Sequence, residues 1–240
     1  MNALFCKAKA APPFPIRSTH RTHVGRVRSV NEDRVLDASD RMLWVIADGM
    51  GGHKAGDVAA ETLVAHLGAT TAIDNAATLT QALIQANDLI RAQTDGQGGT
   101  TVVSLRIDNA VATLSWAGDS RAYLIRDGEL RLLTHDHSVV QQLVDAGVIT
   151  AEQALHHPHA NVITNALGTS AEVRIDTAEV NLIAGDRILL CSDGLSRSLS
   201  ERDVVGDCGL DPLADRMLTN ALQRDGQDNI SLILVEIAAS

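Results

Sequence analysis

Two aspartates in this chain stand where a carboxylate is costly. Residues 43–47, Leu-Trp-Val-Ile-Ala, run directly into Asp48, and residues 188–192, Ile-Leu-Leu-Cys-Ser, run into Asp193. Each run reads as an apolar strand, so each acid ends a buried element. An unpaired carboxylate there costs several kcal/mol unless a cation compensates or the group takes up a proton. Lys54 and Arg197 are near enough in sequence to serve as that cation. Asp119 follows the run Thr-Leu-Ser-Trp-Ala-Gly, Asp228 precedes Asn-Ile-Ser-Leu-Ile-Leu, and Glu32 and Asp33 are adjacent. Taken singly these are ordinary turn acids. Together they are a set of hard oxygen donors with no Cys or His pattern, which suits magnesium or manganese better than zinc. Asp-Gly occurs five times, and at Asp95, Asp127 and Asp225 it reads as a plain turn.

The elements that must position these acids are legible from periodicity. Apolar residues recur on one helical face over 56–67 and 78–93. A third helix is expected over 212–223, with Asp211 as its N-cap and Pro212 at its first position. A fourth is expected over 138–146, closed by Gly147. Short strands are expected over 43–47, 101–107, 111–116, 123–126, 129–133, 173–180, 187–191 and 230–237. Asp108-Asn109 and Asp127-Gly128 join two pairs of them as hairpins. Hairpin connections and paired helices imply an α+β architecture of two mostly antiparallel sheets with helices packed outside. Pro12, Pro13 and Pro15 suggest a poorly ordered lead-in over 1–20, followed by a single domain over 21–240.

Composition excludes several functions. The chain has 240 residues, 45% of them hydrophobic, enough for a substantial core. Aromatics make up only 2%, which leaves no stacking platform for single-stranded nucleic acid. A formal charge of −10 and no basic stripe oppose binding to phosphate backbones or anionic lipid. The three cysteines are scattered and form no C-x-x-C pair, so neither a disulfide framework nor a zinc knuckle is expected. No run is long enough to span a membrane, and Lys7 and Lys9 interrupt the short apolar start. A reducing, cytoplasmic setting is the expectation.

The ordered series of motifs resembles the metal-dependent protein phosphatases of the 2C type, most closely their compact bacterial members. Its parts are Gly25-x-x-Arg28-x-x-Asn31-Glu32-Asp33, Ala47-Asp48-Gly49-Met50-Gly51-Gly52-His53, Gly99-Thr100-Thr101, Gly118-Asp119-Ser120-Arg121, Ser192-Asp193-Gly194 and Asp228-Asn229. Each motif is weak alone; six in order are specific. The resemblance runs from about Thr22 to the C-terminus and implies a four-layer α-β-β-α sandwich, each sheet flanked by a helix pair. It further implies two manganese or magnesium ions bridged by Asp48. One would be completed by Asp193 and Asp228, the other by Glu32 and the Gly49 carbonyl. Asp33 would hold metal-bound water from behind, and Asp119 with Asp193 would form a weaker third position. Arg28 would grip the substrate phosphate with its guanidinium fork. Hydroxide generated between the two ions would then attack the phosphorus of phosphoserine or phosphothreonine directly. Phosphorylated proteins are the implied substrates and a bacterial serine/threonine kinase the implied opponent. The short chain and the opening 18–25 also resemble forms associated with type VI secretion.

Some eukaryotic members carry a histidine directly after this Asp-Gly, proposed to protonate the leaving group; here that residue is Met50, as is common in bacteria. His53 lies in the same loop and is the alternative to water as acid. The segment 135–168 resembles the family's flap; His156, His157 and His159 within it lack a fourth donor and read as an exposed polar loop. Two rival readings remain. Cys191 and Arg197 match C-x5-R, the cradle of cysteine-dependent phosphatases, but Asp193 inside that loop would repel phosphate and raise the thiol pKa. A non-catalytic phosphoprotein-binding module on the same fold would predict losses among the acids, and all are present.

Overall fold

The computed structural model describes residues 14–51, 54–206 and 208–238. Its strands are β1 (Ile16–His23), β2 (Asp33–Ala38), β3 (Leu43–Gly51), β4 (Gly98–Thr100), β5 (Val102–Asp108), β6 (Val111–Ala117), β7 (Arg121–Arg126), β8 (Glu129–Leu132), β9 (Asp176–Asn181), β10 (Arg187–Cys191) and β11 (Ile230–Ile237). The helices are α1 (Ala55–Ala69), α2 (Ala76–Thr94), α3 (Val139–Asp145), α4 (Ala151–Ala154), α5 (Asp193–Ser196) and α6 (Leu210–Arg224). One sheet runs β1-β11-β10-β7-β8 and the other β2-β3-β5-β6-β9, with β4 paired to β3. The strand pairs are antiparallel.

Period-two alternation sorts these side chains into layers. In β3, Trp44 and Ile46 point between the sheets, where they join Val103, Leu114, Ile188 and Ile233. Leu43, Val45 and Ala47 point outward under α1 and α2, against Leu63, Leu67 and Leu83. On the other sheet Leu189, Cys191, Leu232 and Leu234 meet Leu213, Ala214 and Met217 of α6. Both faces of the central strands are covered, which is why they read as unbroken apolar runs. The four layers are therefore α1/α2, sheet, sheet, and α6 with the one-turn α5.

Three expectations need correction. Residues 16–20 are not lead-in: β1 starts at Ile16 and pairs along its whole length with β11, satisfying an edge that would otherwise be open. The residues before Phe14 lie outside the described ones. The third helix begins at Leu210 with Gly209 as N-cap, so Pro212 sits at its third position rather than its first. That position still lies among the N–H groups without a helical acceptor, so proline breaks no bond. Asp211 does not cap; its carboxylate accepts from Thr19 Oγ1 at 2.6 Å and from Arg21 at 3.1 Å. Strand β9 begins at Asp176, not 173, because the Arg174 backbone is bonded to the Asn165 side chain in both directions, at 2.8 and 3.1 Å.

The turn aspartates behave as expected. Asp127 and Gly128 adopt φ of 54° and 81° between β7 and β8, Asp95 is the left-handed cap of α2, and Asp225 follows α6. Ser138 caps α3 by accepting from the Gln141 N–H at 3.2 Å, and Gly147 follows it with φ 68°.

Candidate active site

Antiparallel pairing brings five aspartates from both sheets to the same end of the strands. Asp33 opens β2 and stands opposite Asp48 in register on β3. Asp119 follows the end of β6 and precedes β7. Asp193 follows β10 and begins α5, and Asp228 precedes β11, the neighbour of β10. No two of these acids except Asp33 and Asp48 lie on paired positions, so only the packing of sheet on sheet assembles them.

Their electrostatics confirm the proximity. Burial first, then the charges of Asp33, Asp193, Asp119 and Asp228, push the Asp48 carboxyl well above the ordinary range. Asp33 and Asp119 are each pushed up to about 7, chiefly by burial, with Asp193 adding repulsion in both cases. Asp193 is raised by burial against the opposing pull of Arg197. Asp33 accepts from Ser192 Oγ at 2.8 Å, and that hydroxyl in turn accepts from the Ser231 N–H at 2.9 Å.

The rim acids are paired with guanidinium groups. Arg28 donates to Asp228 at 2.8 Å and Arg197 forms an ion pair with Asp193. Among the described residues, Glu32, Asp33, Asp48 and Asp119 have no ion-pair partner, and Asp119 Oδ1 is buried without any hydrogen-bond donor. No three carboxylates among the described residues converge tightly on one point. Like charges at this spacing repel, and the two at the rim are turned onto arginines. The donor set nevertheless fits divalent cations: hard oxygens, buried, mutually repelling, one orphaned, with too few bases to neutralise them.

Asn229 is the positioning residue that sequence reading left without a role. Its Nδ2 donates to the carbonyls of Val24 and Val30, both at 2.9 Å, and its Oδ1 accepts from the Glu32 N–H at 2.8 Å. One side chain thus holds both ends of the Arg28 loop and sets Glu32. The only signal for it was its place after Asp228. Glu32 reaches the start of α1, where a methyl on Gly56 would lie 3.0 Å from its Oε1. Gly49 accepts no substitution, since a methyl there would strike the Gly56 carbonyl. Thr101 N–H and Thr100 Oγ1 both donate to the Asp48 carbonyl, at 2.9 and 3.1 Å, and fix the end of β3.

The segment 135–168 rises beside Asp119. Buried His137 accepts at Nδ1 from Asn165 Nδ2 at 2.8 Å and from the Gly118 N–H at 3.3 Å, while its Nε2 faces Asp176 at 3.2 Å. Leu167 and Thr100 exchange backbone hydrogen bonds at the segment's other end. His156 and His159 are exposed and His157 half-buried, and no metal cluster occurs there among the described residues. His53 and Gly52 lie outside the described residues. Cys191 is fully buried in the α6 core, and burial pushes its thiol up to about 12. A thiol so placed is no nucleophile, and Arg197 is spent on Asp193 rather than on a phosphate cradle.

Fold and site together define an α-β-β-α sandwich that opens, between its two sheets, onto a cation-seeking acidic centre. The chain belongs to the protein phosphatase 2C family, whose model matches residues 22–234. It is 37% identical over 236 residues to the serine/threonine phosphatase stp of Listeria monocytogenes, covering 90% of this chain and 94% of that protein. Among solved structures it resembles PppA, a key regulatory component of the type VI secretion system in Pseudomonas aeruginosa. That likeness has a TM-score of 0.83 and 37% identity, over 92% of this chain and 97% of the other. The catalytic domain of the serine/threonine phosphatase PstP, in complex with two manganese ions, superposes with a TM-score of 0.82 at 36% identity over 93% and 99% of the two chains.

Proposed function

We propose that this protein is a metal-dependent serine/threonine phosphatase that hydrolyses phosphoserine and phosphothreonine in proteins. The observation that carries the reading is the gathering of Asp33, Asp48, Asp119, Asp193 and Asp228 from two sheets at one end of the strands, with only Asp193 and Asp228 in ion pairs among the described residues. Asp48, Asp193 and Asp228 would hold one manganese or magnesium ion, and Asp48 with Glu32 and the Gly49 carbonyl the second. The bound pair supplies Lewis-acid charge and a water acidified enough to act as nucleophile near neutral pH. The two manganese ions of the PstP structure support a two-ion site.

The protein's own groups do the rest. Asp33, anchored by Ser192, orients the water from behind and accepts its proton. Arg28 stands at the open rim with more than half its side chain exposed. Its fork leaves Asp228 for the incoming phosphoryl group, which offers bidentate bonds and a dianionic charge. No covalent phosphoenzyme is required, and Cys191, the thiol of the C-x5-R match, is buried. Asp119 with Asp193 forms the weaker third cation position. The 135–168 segment acts as a flap whose root at His137 is tied to the Asp119 loop. His53 or water protonates the leaving oxygen.

Substrates are phosphoproteins, and a cognate serine/threonine kinase is the natural opponent of such an enzyme. The likeness to PppA supports a place in the control of type VI secretion. Among the described residues no helix is long and apolar enough to cross a membrane, which agrees with action in the cytoplasm. Hydrolysis of a phosphothreonine peptide, followed with EDTA and then with added manganese, tests the reading. Activity lost with EDTA and restored by manganese is the expected result; activity indifferent to EDTA but abolished by thiol alkylation would overturn it.

A further inference from the structure

We propose that Arg197 is a built-in cation for the space between Asp193 and Asp119, which holds off a third divalent ion. The inference rests on the dinuclear reading above and concerns a residue that reading leaves without a role. Helix α5 is a single turn, and its backbone bond from Arg197 N–H to the Asp193 carbonyl, 3.0 Å long, sets the two residues one turn apart on one face. The guanidinium forms an ion pair with the Asp193 carboxylate.

The same charge reaches Asp119. Asp119 is only 7% exposed, and its Oδ1 is buried with no hydrogen-bond partner, a polar atom that a cation would satisfy. Burial and the charges of Asp193 and Asp136 raise its carboxyl, and Arg197 is the positive charge that opposes them. The other nearby guanidinium groups are committed elsewhere. Arg28 pairs with Asp228, and Arg121 grips Asp136 through three bonds of 2.7 to 3.1 Å. Among the described residues, Arg197 is the guanidinium paired with Asp193, and it is the positive charge that acts on Asp119.

A tethered cation competes at a high effective concentration that a free ion must exceed. Arg197 keeps about a third of its side chain exposed, so it can swing out when the ion wins. The third position of this protein should therefore fill only at high divalent concentration, whereas the two ions around Asp48, which draw on Glu32, Asp48 and Asp228 as well as Asp193, depend on Arg197 less.

The test is calorimetric titration of metal-stripped protein with manganese alone, comparing the unaltered chain with Arg197→Gln, Arg197→Lys and the double variant Arg197→Gln/Asp119→Asn. The unaltered chain should take up two ions tightly and a third weakly. Arg197→Gln should tighten the third by roughly tenfold to a hundredfold, the order expected for removing a unit charge beside a divalent ion. Arg197→Lys should stay close to the unaltered chain, and the double variant should lose the tightened site. Equal third-site affinity in the unaltered chain and Arg197→Gln would overturn the proposal. Tightening that persists in the double variant would also overturn it, by placing the ion elsewhere. Failure of the unaltered chain to bind two ions would instead overturn the dinuclear reading, and this inference with it.

Discussion

At the residue scale the site is a problem of charge. Asp48 and Asp193 each contribute a carboxylate that no other residue of the site replaces. Asp48→Asn and Asp193→Asn should each lower kcat by about a thousandfold or more, while Cys191→Ser should retain most of it, as steady-state rates on a phosphopeptide would reveal. Arg28→Ala should act mainly on KM if the guanidinium holds the phosphoryl group as proposed; an unchanged kcat/KM would remove it from the site. The raised carboxyls of Asp33, Asp48 and Asp119 carry a pH signature. With Asp33 and Asp119 pushed up to about 7 in the folded protein against about 4 in the unfolded chain, and Asp48 raised in the same direction, the folded protein binds more protons in that interval. Stability of EDTA-treated protein should therefore fall as pH rises from about 4 through 7. Manganese should restore it most at the upper end, where the carboxylates are free to bind it. Thermal melts at pH 5.5 and 8, with EDTA or manganese, would show this; a metal-free protein more stable at pH 8 would contradict it.

At the scale of elements, precision comes from close contacts between strand ends. Gly194, the second residue of α5, lies so near Asn229 that an added methyl would strike its carbonyl, and Gly25 at φ 83° is pressed against the Asp228 carbonyl. Gly194→Ala should displace Asp193 relative to Asp228 and lower metal affinity more than stability. Asn229→Ala would orphan two carbonyls and one N–H, costing about 1–3 kcal/mol in a denaturant melt and loosening Glu32. By contrast Met217→Ala, on the buried face of α6, should cost about 2–5 kcal/mol while leaving kcat of the folded protein nearly unchanged. A matched loss of activity in Met217→Ala would show that α6 shapes the site directly.

At the scale of the whole molecule, the sandwich explains how buried carboxylates are tolerated. The two sheets share one apolar layer of Trp44, Ile46, Leu114, Ile188 and Ile233. That layer is rigid and dry, and the acids sit at its open end. The chain's net charge of −10 adds to the repulsion there and steers cations toward it. The 135–168 segment is joined to the core at Asp136, which Arg121 grips, at His137, and at the Leu167–Thr100 pair beside β3.

Sequence alone determined the identity of the acids, because an apolar run that ends in aspartate is costly wherever it lies. It determined the hairpins, since Asp-Gly and Asp-Asn suit the left-handed turn, and the two-sided burial of β3, β10 and β11 from their unbroken apolar runs. It misjudged the ends: β1 is polar at every position after Ile16 and is ordered by pairing with β11, and α6 starts earlier because nothing local forbids it. Tertiary structure decided which acids meet, which arginine each rim acid faces, and that Asn229 ties the Arg28 loop to Glu32. Those contacts join residues up to 205 positions apart, and a pairing over that distance is set by sheet packing rather than by any local preference.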